Sequence, residues 1–158
     1  MGKNKRIVES SYTPTIQRRI IETDNKKCLI SLEKVIDNKD YGLCLDKKHS
    51  QTNSQNSKKF NTALLGLFHF LCKRTWNEIY QTRRQQEYGY EHLLLQNIQV
   101  ESIKTYFIDK CGKSKNDKID IFRFGSQEFR ACGFRQRQTD IFYLVCIDYN
   151  RSLYNHGN

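Results

Sequence analysis

With 158 residues the chain has the length of one domain, enough to bury a single core without disulfide or metal staples. Lys and Arg outnumber Asp and Glu by 27 to 17, for a formal net charge of +10 and a pI near 9.4, which favours a polyanionic partner: RNA, DNA or an acidic protein. The six cysteines form no CxxC pair and no metal-ligand spacing, the longest apolar run (residues 63–68) is far too short to cross a bilayer, and no secretory apolar segment precedes the first elements, so the expected setting is cytoplasmic with reduced thiols, no metal and no membrane.

Residues 1–25 are polar, carry Lys3, Lys5, Arg6, Arg18 and Arg19 and show no sustained apolar period, which predicts a flexible basic arm ahead of a single domain over residues 26–158. The "CLISLEKVI" of residues 28–36 alternates apolar and polar positions, as a half-buried strand does, and "YGLCL" reads as a short strand beside it. Residues 46–59, "DKKHSQTNSQNSKK", are all polar and predict an exposed loop.

The period then changes. Phe60, Ala63, Leu64, Leu67, Phe68 and Leu71 fall on one face of a helix. Thr75 followed by Glu78 matches a capping box for a second helix, in which Trp76, Ile79 and Tyr80 face the core while Arg74, Arg83 and Arg84 point outward. "EYGYEHLLLQNI" fits either a helical turn or a connector. Beyond it "KIDIFRF" and "EFRACGF" alternate, "DIFYLVCID" is the continuous apolar run of a central strand, and Gly125-Ser126 and residues 135–140 supply turns, so three strands form a meander. The predicted class is α+β: a twisted antiparallel sheet with two helices packed on one face.

Alternation also decides where the cations point. Arg123 shares a face with Ile119 and Ile121, opposite Phe122 and Phe124; Arg130 shares one with Cys132 and Phe134, opposite Phe129 and Ala131. A guanidinium inside an apolar strand is costly unless it sits at a rim or meets an anion. Arg151, Tyr154 and His156 follow the last strand directly and would stand at its end. A guanidinium can hold a phosphate bidentately, a phenol can hydrogen-bond it and an imidazole can exchange a proton near neutral pH, which together suffice for RNA cleavage by the ribose 2′-hydroxyl without a metal or other cofactor.

The order of elements, ending in "FRFGSQEFRACGFRQRQTDIFYLVCIDYNRSLYNHG", resembles the RelE/ParE superfamily of toxins, best over residues 115–156 and more weakly back to residue 28. In the RelE branch a basic strand, a "YR"-like pair and a terminal tyrosine form the nuclease site. Here Phe129-Arg130 resembles the pair, Tyr154 the ending, Arg123 the basic strand position and Arg151 the cation before the tyrosine, with His156 corresponding loosely. The chain is longer than a usual member and has Phe129 where tyrosine is common. The resemblance implies two helices against a twisted antiparallel sheet and an endoribonuclease acting on mRNA, on or off the ribosome, with catalytic Arg130, Tyr154, Arg151, Arg123 and His156. RNA would be bound by Lys118, Arg135, Arg137, Arg83 and Arg84, and a cognate antitoxin would restrain the activity. Two other readings fit the same charge and fold: a catalytically silent nucleic-acid or protein-binding module of a mobile element, and a ParE-like inhibitor of a protein target.

Overall fold

The computed structural model describes residues 25–43 and 54–155. The predicted arm up to Asp24, Cys44 and Leu45 of "YGLCL", the first part of the predicted polar loop and His156 lie outside the described residues. The elements follow in the order β1 (Leu29–Ser31), α1 (Ser54–Lys73), α2 (Trp76–Tyr80), β2 (Tyr90–Leu94), a 3-10 turn (Leu95–Asn97), α3 (Glu101–Cys111), β3 (Lys118–Phe124), β4 (Phe129–Gln136) and β5 (Ile141–Asp148). The class is α+β. The strands make one sheet of order β1-β5-β4-β3-β2, in which the β3–β5 meander is antiparallel as expected and β2 joins β3 antiparallel.

The sheet is mixed and not purely antiparallel, because β1 pairs parallel with β5 through Leu29–Ile141, Ile30–Phe142 and Ser31–Tyr143. A parallel neighbour needs a long crossover, and all the elements between β1 and β5 supply it. The strand expected over residues 28–36 is ordered as a ladder only at Leu29–Ser31, yet the chain keeps to the edge of β5: the Ile36 N–H donates to the Val145 carbonyl at 2.8 Å, and the Ile147 N–H to the Tyr41 carbonyl at 2.7 Å. Tyr41 therefore borders β5, and residues 41–43 do not form the second strand read from "YGLCL".

One sheet face is covered by α1 and α2. Leu67 and Leu71 are fully buried there with Trp76, Ile79, Phe122, Phe124, Phe142, Leu144 and Ile147, each large apolar side chain contributing roughly 1.5–3 kcal/mol. The helix begins at Ser54, inside the stretch read as loop, and carries the Phe60–Leu71 stripe on one face. The capping box forms as read: the Glu78 N–H donates to the Thr75 hydroxyl at 3.3 Å, and the Thr75 N–H donates to the Glu78 carboxylate at 2.7 Å.

The other face carries a second core of Ile98, Ile103, Phe107, Ile119, Ile121, Cys132, Val145, Cys146 and Leu153. Here lies α3, a helix absent from the expectation of two helices on one face. It buries only Ile103 and Phe107, lacks a side-chain cap at Val100, and stops at Gly112, whose φ of 65° suits glycine. "EYGYEHLLLQNI" resolves into β2 followed by the 3-10 turn. A bulge falls opposite Cys132 and Gly133, where Val145 is the extra residue on β5, and a Cβ on Gly133 would run into the Tyr143 carbonyl and the Phe142 ring. Cys28, Cys132 and Cys146 behave as small core residues, whereas Cys72 is exposed.

Candidate functional site

The site grows out of strand pairing on the second face. The β3–β4 register sets Arg123 directly opposite Arg130, and both side chains point to the α3 side, as alternation requires. Two like charges facing each other across a ladder repel, so something must hold them there. Part of the answer is Glu91, on the neighbouring strand β2 and likewise directed to this face. Its Oε1 accepts from Arg123 Nε and Nη2, each at 3.2 Å, and from the Tyr154 hydroxyl at 2.6 Å, while Arg84 Nε meets Oε2 at 2.8 Å.

Tyr154 reaches Glu91 because the segment after β5 folds back across the sheet. Asp148 accepts from the Ser152 and Leu153 N–H groups at 2.9 and 3.1 Å, the Gln99 N–H donates to the Leu153 carbonyl at 2.8 Å, and Tyr154 bridges Ile98. Arg151 takes a left-handed φ of 57° within this return. It comes to the same place as Arg130: Arg151 Nη2 donates to the Gln127 carbonyl at 3.1 Å, and Arg130 Nη1 donates to the Gln127 and Phe129 carbonyls at 2.5 and 3.0 Å. Gln127 presents its carbonyl from a β3–β4 turn in which Gly125, Ser126 and Gln127 all have positive φ, a conformation that strains the two residues bearing side chains.

Charge in the cluster is unbalanced. Arg84 and Arg123 meet the carboxylate of Glu91, Arg130 and Arg151 share the Gln127 carbonyl, and Asp148 faces Arg130 across β4–β5, so among the described residues four guanidinium groups lie close together here. Arg130 is 3% exposed, its Nε has no hydrogen-bond partner, and burial followed by repulsion from Arg123 pulls its guanidinium below the ordinary value. Burial and then the hydrogen bond to Glu91 push the Tyr154 phenol well above its ordinary value, so it keeps its proton and acts as a donor.

Of the sequence-predicted residues, Arg123, Arg130, Arg151 and Tyr154 converge, and Arg84, read as an RNA contact, joins them. Arg83 is exposed beside it and Arg137 is exposed in the β4–β5 turn. Lys118 is exposed at the start of β3, on the opposite side from Ile119 and hence from the cluster. Arg135 is not a surface contact: it is buried on the first face, where its Nη2 meets Asp140 at 2.7 Å and its Nη1 meets the Tyr80 hydroxyl at 2.9 Å. Glu91 and the Gln127 carbonyl were missed. A signal for Glu91 existed in "GYEHLL", where an acid alternates with Tyr90 and shares a face with Leu93. Among the described residues no group of three His, Cys, Asp or Glu side chains is placed to hold a metal ion, and no helix is long and apolar enough to cross a membrane. Comparison with known proteins finds no matching family model, no matching curated protein and no matching solved structure.

Proposed function

We propose that the chain is a toxin-like endoribonuclease that cleaves mRNA without a metal ion, with the arginine cluster as its site and an antitoxin protein as its restraint. The observation that carries this reading is the gathering of four guanidinium groups, two on Glu91 and two on the Gln127 carbonyl, with Arg123 and Arg130 directly opposite each other, since a phosphate between them would relieve their repulsion. An arriving phosphodiester draws Arg123 and Arg84 off Glu91. The carboxylate, relieved of two donors, becomes a better base for the ribose 2′-hydroxyl. The 2′-oxygen then bonds to phosphorus, the bond to the 5′-oxygen breaks, and Arg130 and Arg123 face the charge that develops. Tyr154 holds Glu91 in place, Arg151 takes a flanking phosphate, and His156 supplies the proton to the leaving oxygen.

A second reading, a catalytically silent nucleic-acid-binding module, draws on the same cluster: Glu91 accepts from a phenol and two guanidinium groups, so the group is satisfied without a substrate. Incubating the purified protein with an mRNA, with and without ribosomes and in EDTA, separates the two. Cleavage that resists EDTA and falls on the order of a hundredfold to a thousandfold in Arg130→Met, with Tyr154→Phe also impaired, is the expected result. Lys58→Ala, on the outer side of α1, should cleave like wild type. Wild-type rates in Arg130→Met, or no cleavage by the native chain, would favour the silent module.

A further inference from the structure

At the other end of β4, on the same face as Arg130, a groove of about 640 Å³ opens between the end of α3 and the β4–β5 hairpin. Phe134 and Tyr143, paired across β4 and β5, stack on one another at its floor as nearly parallel rings, 5.3 Å between centroids and 15° between planes, with Phe134 buried and Tyr143 partly exposed. Lys113 lies over Phe134 with its Nζ 4.2 Å from the ring centroid. Lys34, Lys110 and Arg137 complete the cationic wall, and of the described residues lining the groove only Glu33 is acidic; it pairs with Lys34 at 3.2 Å.

We propose that this groove is a binding site for single-stranded RNA, separate from the arginine cluster, in which a base stacks on the partly exposed Tyr143 ring, backed by Phe134, and the lysines hold the backbone. A wall of cations alone would suit any polyanion. The stacked aromatic floor adds what a base can use and a carboxylate cannot, because every base has a π-face while an acidic peptide has none. Lys113, held over Phe134, sets a cation beside the Tyr143 ring where the backbone of a stacked nucleotide would pass. The proposal rests on reading the chain as RNA-binding but not on cleavage, and α3, which builds the wall, takes no part in the arginine cluster.

The test measures anisotropy of a short fluorescein-labelled 2′-O-methyl oligouridylate, which lacks the attacking hydroxyl and so reports binding alone. Tyr143→Leu, which keeps an apolar side chain in the second core, should weaken binding about five- to hundredfold with the melting temperature retained. Lys110→Glu, at the exposed end of α3, should weaken it and flatten its dependence on salt. An abasic oligomer of the same length should bind weakly and should not distinguish wild type from Tyr143→Leu. The proposal is overturned if a folded Tyr143→Leu binds like wild type, if the abasic oligomer binds as tightly as the uridylate, or if polyglutamate displaces the uridylate as well as RNA does, which would make the groove an acidic-peptide site. Weakened binding in Tyr143→Leu without any mRNA cleavage by the native chain would remove the nuclease and leave the groove. Cleavage that depends on Arg130, with unchanged binding in Tyr143→Leu, would do the reverse.

Discussion

Two arginines buried on the same strand meet opposite fates. Arg135 faces α2: it pairs with Asp140, donates to Tyr80 and lies 4.6 Å over the Trp76 ring, while its own N–H donates to Asp120, which also receives the Tyr90 hydroxyl at 2.6 Å. Arg130, five residues earlier and on the other face, meets the carbonyls of Gln127 and Phe129 and stands opposite Arg123. Both leave Nε without a partner, so an orphaned nitrogen does not separate them. The balance of charge does. Arg135 is answered by the Asp140 carboxylate at 2.7 Å, whereas Arg130 stands between Asp148 on one neighbouring strand and the guanidinium of Arg123 on the other, a repulsion that an anion would relieve.

The sharpest test of this contrast is stability. Arg135→Ala leaves the buried Asp140 with Lys26 at 3.5 Å in place of a guanidinium at 2.7 Å and strips the cation from Trp76, so urea unfolding should show a loss of about 3 kcal/mol. Arg130→Met, which fills similar volume, relieves the repulsion from Arg123 and leaves Asp148 its bonds from the Ser152 and Leu153 N–H groups, should change stability by less than about 1 kcal/mol. If Arg130→Met destabilises as much as Arg135→Ala, the two arginines are alike and the distinction fails.

A smaller effect is expected from pH and should touch both faces. Burial pushes the Cys28 thiol up to about 12, and burial also raises the Tyr90 and Tyr154 phenols, so the folded chain holds protons that the unfolded chain releases. Their contribution is fully present below about pH 9 and declines as pH rises through the folded values. The urea midpoint should therefore fall between about pH 8 and about pH 10.5. Tyr154→Phe and Tyr90→Phe should each remove part of that slope, and a midpoint as pH-dependent in both variants as in the wild type would show that the phenols do not carry it.

Periodicity determined much of this molecule. The Phe60–Leu71 stripe, the Thr75–Glu78 cap, the three-strand meander and the face on which Arg123 and Arg130 lie follow from spacings of 3.6 and 2, which are local properties of the chain. Only the tertiary structure decided the rest. β1 became parallel because of where the chain returned, and β2 was identified by its pairing with β3, since five residues ending in Leu93 and Leu94 carry no distinct period. The α3 helix rests on just Ile103 and Phe107, too narrow a stripe to stand out among its charged residues. Glu91 acquired its place from the strand beside it, and Arg135 lost its expected role to Asp140, because the sign and distance of a buried charge's partner depend on residues remote in sequence.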